Sequence, residues 1–120
     1  MSDRQTAERR GHRAEMVALW FLRLKGYRLL AQRFKCASGE VDLIMRKGST
    51  TAFIEVKARA SVDAAVIAVT PRQSKRIAAA AATWMALDAK AAACHCRFDI
   101  VAVSSNFWPT HIENAFFGDR

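Results

Sequence analysis

Between Gly39 and Arg59 the chain reads GEVDLIMRKGSTTAFIEVKAR, two apolar, β-branched runs separated by a glycine-containing turn. Runs of this kind pair as a hairpin, so residues 41–46 and 51–57 are expected to be antiparallel strands joined through residues 47–50. The hairpin commits the chain to a sheet, and it carries an anomaly. Asp42, Glu55 and Lys57 interrupt the apolar runs. A charge at such a position loses hydration at a cost of several kcal/mol unless a partner compensates.

Alternation along a strand puts Glu55 and Lys57 on one face, together with Phe53 and Arg59. The face Asp42 takes depends on the turn. A four-residue loop at 47–50 sets Arg46 against Thr51 and Asp42 directly opposite Glu55. A two-residue loop sets Asp42 against Phe53, diagonal to Glu55. An odd loop sends Asp42 to the other face unless a bulge corrects it. Directly opposed residues have β-carbons roughly 4.5–5.5 Å apart, close enough for two carboxylates to share one cation.

Two carboxylates held together repel, and a hard divalent cation such as Mg²⁺ or Mn²⁺ relieves the repulsion through oxygen ligands. Mg²⁺ also retains waters, one of which can attack a bound phosphodiester. Lys57 can orient or deprotonate that water, or stabilise charge on the phosphorane; its spacing does not choose among these roles. The competing reading is an ordinary Glu55–Lys57 pair across a strand end, since E-x-K alone is a common pattern.

Around the hairpin, residues 4–25 read as a helix. Ala14, Val17, Ala18, Phe21 and Leu22 form its buried stripe and Gly26 ends it. A strand is expected at 27–34 and a polar turn at 36–39. Residues 60–69, ASVDAAVIAV, show no firm period and are taken as a loop. The next segment, TPRQ, is a helix start: Thr70 caps, Pro71 fits the first helical position and Gln73 completes a capping box, with the helix running to about Leu87. RFDIVAV at 97–103 reads as a buried strand, and after Pro109 a short strand is expected at 111–116. The order α-β-β-β-α-β-β gives an α/β fold, a mixed sheet flanked by helices, in a single domain over residues 1–120.

With 52% apolar and 25% charged residues, the composition excludes a disordered chain. No apolar run reaches the roughly 18 residues of a bilayer span, and no signal-peptide pattern opens the chain. The expectation is a soluble, cytoplasmic protein that does not bind membranes. Cys36, Cys94 and Cys96 are an odd set with two members one residue apart, which suits a reducing compartment. The CHC at 94–96 reads as small residues entering a strand rather than as zinc ligands, which are spaced by two to four residues and come in fours.

The formal net charge is +8. Residues 1–35 carry nine Lys and Arg against three acidic residues, and the remaining 85 carry ten against eight. The basic excess therefore gathers in the first segment and suggests a surface attractive to nucleic acid; the plainer reading is solubility.

Several further residues bear on the site. Glu15 lies among Ala14, Val17, Ala18 and Leu19 on the buried half of the first helix, where a carboxylate needs a partner. A metal-bound water is one candidate and Arg13 is another. Glu40 shares a face with Asp42 and is expected to be solvated or paired with Lys35. Lys75 and Arg76 open the second helix, where positive charge opposes the helix dipole and favours a phosphate partner. Arg59 and Arg13 are further candidates for the nucleic-acid backbone. Asp99 in RFDIVAV shares a face with Arg97 and reads as structural. Trp20, Trp84 and Trp108 could stack on bases, but the first two fall in helices and read as core.

GEVDLI, FIEVKAR and RFDIVAV, in that order after a helix carrying GHRAE, resemble the YraN-like family of bacterial endonuclease-like proteins. That family is placed in the PD-(D/E)XK nuclease superfamily alongside archaeal Holliday junction resolvases, and the resemblance runs from about residue 11 to 116. It implies a restriction-endonuclease-like fold and a Mg²⁺-dependent endonuclease acting on DNA, branched or structured DNA included. It makes Asp42 and Glu55 metal ligands and Lys57 the catalytic lysine. The helical glutamate of the superfamily falls on Glu15, and its polar or basic helix-start residues on Gln73, Lys75 and Arg76. Val41 stands where the superfamily name has proline, a structural position. A domain this small would form a homodimer to make paired cuts in a four-way junction. Two alternatives stay open: a nucleic-acid-binding module of the same fold with little cleavage, and an interaction protein whose basic helix docks an acidic partner.

Overall fold

The hairpin predicted at the centre of the sequence is the centre of the sheet. The computed structural model describes residues 3–116, and the side chains of the first helix at Arg9 and from Gly11 onward. The elements are α1 (Asp3–Leu24), β1 (Arg28–Cys36), β2 (Gly39–Lys47), β3 (Thr50–Ala58), α2 (Val62–Ala68), α3 (Pro71–Leu87), a 3₁₀ turn (Ala91–Ala93), β4 (His95–Val103) and β5 (Pro109–Ile112). The five strands lie in sequence order; β3 and β4 are parallel and every other neighbouring pair is antiparallel. The parallel step requires a crossover, which α2 and α3 provide. The fold is mixed α/β, as expected.

One sheet face carries α1. Ala14, Ala18, Leu19 and Leu22 pack on Leu43, Met45, Ala52, Ile54, Val101 and Val103. The other face carries α3, whose Ile77, Ala81 and Trp84 pack on Ile44 and Phe53, while α2 places Ala65 over Ile100 and Ala102. Alternation decides this assignment: even-numbered residues of β3 face α1, and Phe53, Glu55 and Lys57 face the other way. α1 ends at Gly26 (φ +97), whose left-handed backbone lets the Tyr27 N–H return to the Leu22 carbonyl at 3.0 Å.

Three expectations need correction. Residues 62–68, taken as a loop, form α2. Ser61 Oγ accepts the Ala64 N–H at 3.1 Å and caps it, but Ala65 is its one buried residue, so seven residues display no stripe to read. The last strand lies at Pro109–Ile112 rather than 111–116. Pro109 opens it opposite Val103 on an edge strand, where a missing N–H is tolerated. Trp20 is not core: it is 54% exposed, whereas Trp84 is buried. The CHC motif does open a strand, with His95 as the first residue of β4. No helix of the described residues is long and apolar enough to cross a membrane.

Candidate active site

The turn that decides where Asp42 points is Gly48–Ser49. β2 and β3 pair Lys47 with Thr50 and Arg46 with Thr51, up to Leu43 with Ile54. Gly48 has φ +59 and Ser49 does not take a positive φ, the pattern of a tight hairpin turn that matches the strand twist. One further step of this register sets Asp42 against Glu55. There the backbone ladder stops, and the Val56 N–H donates instead to Asp42 Oδ2 at 2.8 Å. The loop is two residues rather than four, but because it is centred on 48–49 it keeps the Arg46–Thr51 register, the one in which the two carboxylates meet.

Glu55 is 6% exposed and sits on the sheet face beneath the start of α3. Burial, then a hydrogen-bonding contact with Asp42 and the charge of that carboxylate, push its carboxyl from an ordinary 4.5 up to about 9. The Lys57 ammonium, 3.4 Å from Glu55 Oε2, pulls the other way without prevailing. Gln73 Nε2 also donates to Glu55 Oε2. This corrects the capping box. Thr70 Oγ1 does accept the Gln73 N–H at 3.2 Å, but the Gln73 side chain turns into the site rather than back to the helix start.

α3 comes this close because of Gly39. A β-carbon there would stand 1.9 Å from the Arg76 carbonyl oxygen, so the first turns of α3 rest directly on the backbone at the start of β2. That contact brings Thr70, Arg72, Gln73 and Arg76 to the rim of a cleft of about 560 Å³. Glu40, Asp42, Glu55, Val56, Lys57 and, from α1, Gly11 and Glu15 complete its lining.

Glu15 is nearly buried, and the side chain that answers it is not Arg13. Arg33 of β1 grips it with two bonds, Nε to Oε1 at 3.1 Å and Nη2 to Oε2 at 2.7 Å. Arg33 holds φ 53, unusual for a side chain of its size, just beyond the bulge at Leu30 that shifts the β1 register. Its bonds to Glu15, opposed by desolvation and assisted by the charges of Glu15 and Asp42, raise its pKa further. The sequence reading missed Arg33 because its role depends on a helix packed across the sheet. The available signal was an arginine on the strand that must neighbour Asp42.

The remaining candidates divide. Arg76 lines the cleft, whereas Lys75 is exposed on α3 outside it. Arg72, which was not singled out, also lines it. Arg59 is exposed at the end of β3, where its guanidinium donates to the Ala58 carbonyl at 2.8 Å. Arg13 is exposed on α1, turned away from the cleft that Glu15 enters. Glu40 pairs with Lys35 at 3.7 Å, as expected. Asp99 is structural, as expected, and belongs to a separate network. Arg97 Nε and Nη2 bind its carboxylate, with a shortest distance of 2.8 Å, and His111 Nε2 and the Asn114 N–H complete the set at 2.8 and 2.9 Å.

The donor chemistry of the cleft fits a hard divalent cation. Asp42 and Glu55 offer oxygen atoms, and one of the two retains a proton where a cation could compensate both. Among the described residues no three His, Cys, Asp or Glu side chains converge as a metal cage. Two carboxylates in a cleft whose lining, among the described residues, holds no Cys or His would suit Mg²⁺ better than a structural zinc.

Known proteins place the chain in a family. The model of Uncharacterised protein family UPF0102 matches residues 14–103, which span both faces of the sheet from α1 to the end of β4. The chain belongs to the UPF0102 family. A UPF0102 protein of Mesorhizobium japonicum is 48% identical over 98% of this chain and 94% of its own length. One from Methylorubrum extorquens is 50% identical over 94% of this chain and 88% of its own. A Brucella canis relative is 48% identical over 90% of this chain and 85% of its own. The matched span of the UPF0102 model contains Glu15, Arg33, Glu40, Asp42, Glu55, Lys57 and Gln73, so every carboxylate of the cleft lies within the family's shared segment.

Proposed function

We propose that this UPF0102 protein is a metal-dependent nuclease that hydrolyses phosphodiester bonds of DNA, a member of the PD-(D/E)XK superfamily with a restriction-endonuclease-like fold. The observation that carries the reading is the side-by-side placement of Asp42 and Glu55 with Lys57 in a cleft rimmed by Arg72 and Arg76. Asp42 and Glu55 would hold Mg²⁺ or Mn²⁺, which supplies Lewis-acid polarisation of the phosphoryl oxygen and a water made acidic enough to attack.

The protein's own groups do the rest. Val56 N–H fixes one oxygen of Asp42 and leaves the other for the cation. Gln73 holds Glu55 in place from above. The Lys57 ammonium, 15% exposed at the cleft edge, donates to charge that builds on the phosphorane or orients the attacking water. Arg72 and Arg76 receive the flanking phosphates, and Arg33 keeps Glu15 directed into the cleft. A basic excess in the first 35 residues adds attraction for a polyanion. The reading includes a cytoplasmic location and, for branched substrates, a homodimer making paired cuts.

The test is cleavage of junction, flap, duplex and single-stranded DNA by purified protein with Mg²⁺, Mn²⁺ or EDTA. Metal-dependent cleavage that Asp42→Asn and Lys57→Ala abolish is the expected result. Tight binding with no cleavage of any substrate would leave the same fold as a nucleic-acid-binding module.

A further inference from the structure

We propose that the exposed face of α1, together with Phe107 of the β4–β5 loop, is a binding surface for an unpaired nucleic-acid strand leading into the Asp42–Glu55 cleft; the second half of that statement rests on the nuclease reading. Arg9, Arg13, Met16, Trp20, Arg23 and Leu24 recur at three- and four-residue steps, so they lie along one side of the helix. All six are exposed, Trp20 at 54% and Leu24 at 87%. The face thus alternates guanidinium groups with large apolar surfaces. The Arg23 guanidinium lies 4.9 Å from the Trp20 ring centroid, which holds the indole flat beneath a charge.

Phe107 extends the surface. It meets Arg13, Met16 and Val17 around a shallow apolar notch. Its backbone sits at φ 62, a conformation a phenylalanine rarely adopts. Ser104 enforces it: the Phe107 N–H donates to the Ser104 carbonyl at 2.9 Å and the Trp108 N–H to Ser104 Oγ at 3.1 Å. A strained, closed loop therefore projects an aromatic ring against a basic helix instead of burying it. The notch reaches the cleft through His12, which lines both the notch and a smaller hollow shared with Glu15, Glu40 and Asp42 of the cleft.

Charge selects the occupant. Among the described side chains of α1 the sole carboxylate is Glu15, and it is buried against Arg33. A second copy docking by this face would bring Arg9, Arg13 and Arg23 against one another with no acid among the described side chains between them. Duplex DNA would satisfy the arginines but leave the apolar rings against a sugar–phosphate surface. Unpaired bases satisfy both, stacking on Trp20 and Phe107 while their phosphates meet Arg9, Arg13 and Arg23.

The experiment is fluorescence anisotropy with a labelled short oligothymidylate and a duplex of equal length, in EDTA so that no cleavage intervenes, across a range of salt. Trp20→Ala and Phe107→Ser should each weaken single-strand binding about tenfold, equivalent to about 1.4 kcal/mol, with duplex binding unchanged. Arg13→Ala and Arg23→Ala should each reduce the single-strand salt slope by roughly 0.7. Quenching of tryptophan emission by the oligonucleotide, lost in Trp20→Ala but kept in Trp108→Phe, provides a second readout. Single-strand affinity indifferent to Trp20 and Phe107 overturns the surface. So does a concentration-dependent dimer lost in Trp20→Ala, or Trp20-dependent binding to vesicles of anionic lipid without an effect of the oligonucleotide. The two readings fail separately. A protein that binds single strands through Trp20 yet never cleaves refutes the nuclease, and a metal-dependent nuclease whose binding ignores Trp20 and Phe107 refutes this surface alone.

Discussion

Glu55 and Asp99 are both buried carboxyl groups on the parallel pair β3 and β4, within one residue of each other in register, since Ile54 faces Asp99 and Glu55 faces Ile100. They point to opposite sides of the sheet and meet opposite surroundings. Burial pushes the Asp99 carboxyl up, but the bonds from His111, Arg97 and the Asn114 N–H outweigh it and hold the group below the usual carboxylate range. Arg97 is fixed in turn by the Tyr27 hydroxyl at 2.6 Å and by Glu113 at 3.1 Å. Glu55 faces another carboxylate, an amide and one ammonium, and is pushed up to about 9. Asp99 is a completed knot that ties β5 and the chain after it to the sheet. Glu55 is left short of positive charge, the condition in which a cation gains most by entering.

Substitution should separate the two sites most sharply. Glu55→Gln should lower metal-dependent cleavage by roughly 100-fold or more, as expected for loss of a transition-state contact. Its stability at neutral pH should stay within about 1 kcal/mol of wild type, because the carboxyl it replaces is already uncharged there. Asp99→Asn should do the reverse in urea unfolding. It leaves the buried His111 ring without its carboxylate and Arg97 with Glu113 as its remaining acid, and should cost about 3 kcal/mol. Equal stability losses in the two variants would erase the distinction.

Gly39→Ala should come next. Its methyl group collides with the Arg76 carbonyl, so α3 must lift, and overpacking of this kind costs roughly 1–3 kcal/mol. The lift withdraws Gln73 and Arg76 from the cleft while leaving the Asp99 network on the far face intact. His111 and Asn114 resonances should therefore be undisturbed while metal affinity falls.

The smallest effect is one of pH. Between about 4.5 and about 9 the folded chain keeps a proton on Glu55 that the unfolded chain releases. The stability from this group is full below the lower value and is lost as pH rises through the upper one. Mg²⁺ favours the ionised form, so its binding should release a proton within that window and tighten as pH rises. Calorimetry of Mg²⁺ binding at pH 7 in buffers of different ionisation enthalpy should show release of about one proton. Binding with no proton release would show that Glu55 is already ionised before the cation enters.

Much of the cleft was legible because strands impose a strict period. Phe53, Glu55 and Lys57 had to share a face, and the hairpin sequence restricted Asp42 to a few registers. The α1 stripe and the Thr70–Pro71 helix start were equally readable, since capping chemistry and helical spacing are local. α2 was not, because a seven-residue helix with one buried alanine leaves no pattern. Gln73 was assigned to its own helix cap because the local partner could be read and Glu55, eighteen residues away, could not. Trp20 was misjudged because its helix carries a second, outward face of apolar residues alongside arginines.

The sequence by itself determined the strands, the helix that opens the chain and the presence of an Asp, a Glu and a Lys where charge is costly, because these follow from periodicity and from the price of burying an ion. The tertiary structure alone decided which charges are answered. Arg33 reaches Glu15 across a bulge, Gly39 admits α3 to within contact of β2, and Arg97, His111 and a backbone N–H close around Asp99. A side chain's partners lie across the fold rather than along the chain, so Asp99 and Glu55 look alike in sequence and become opposites only when the sheet is covered on both faces.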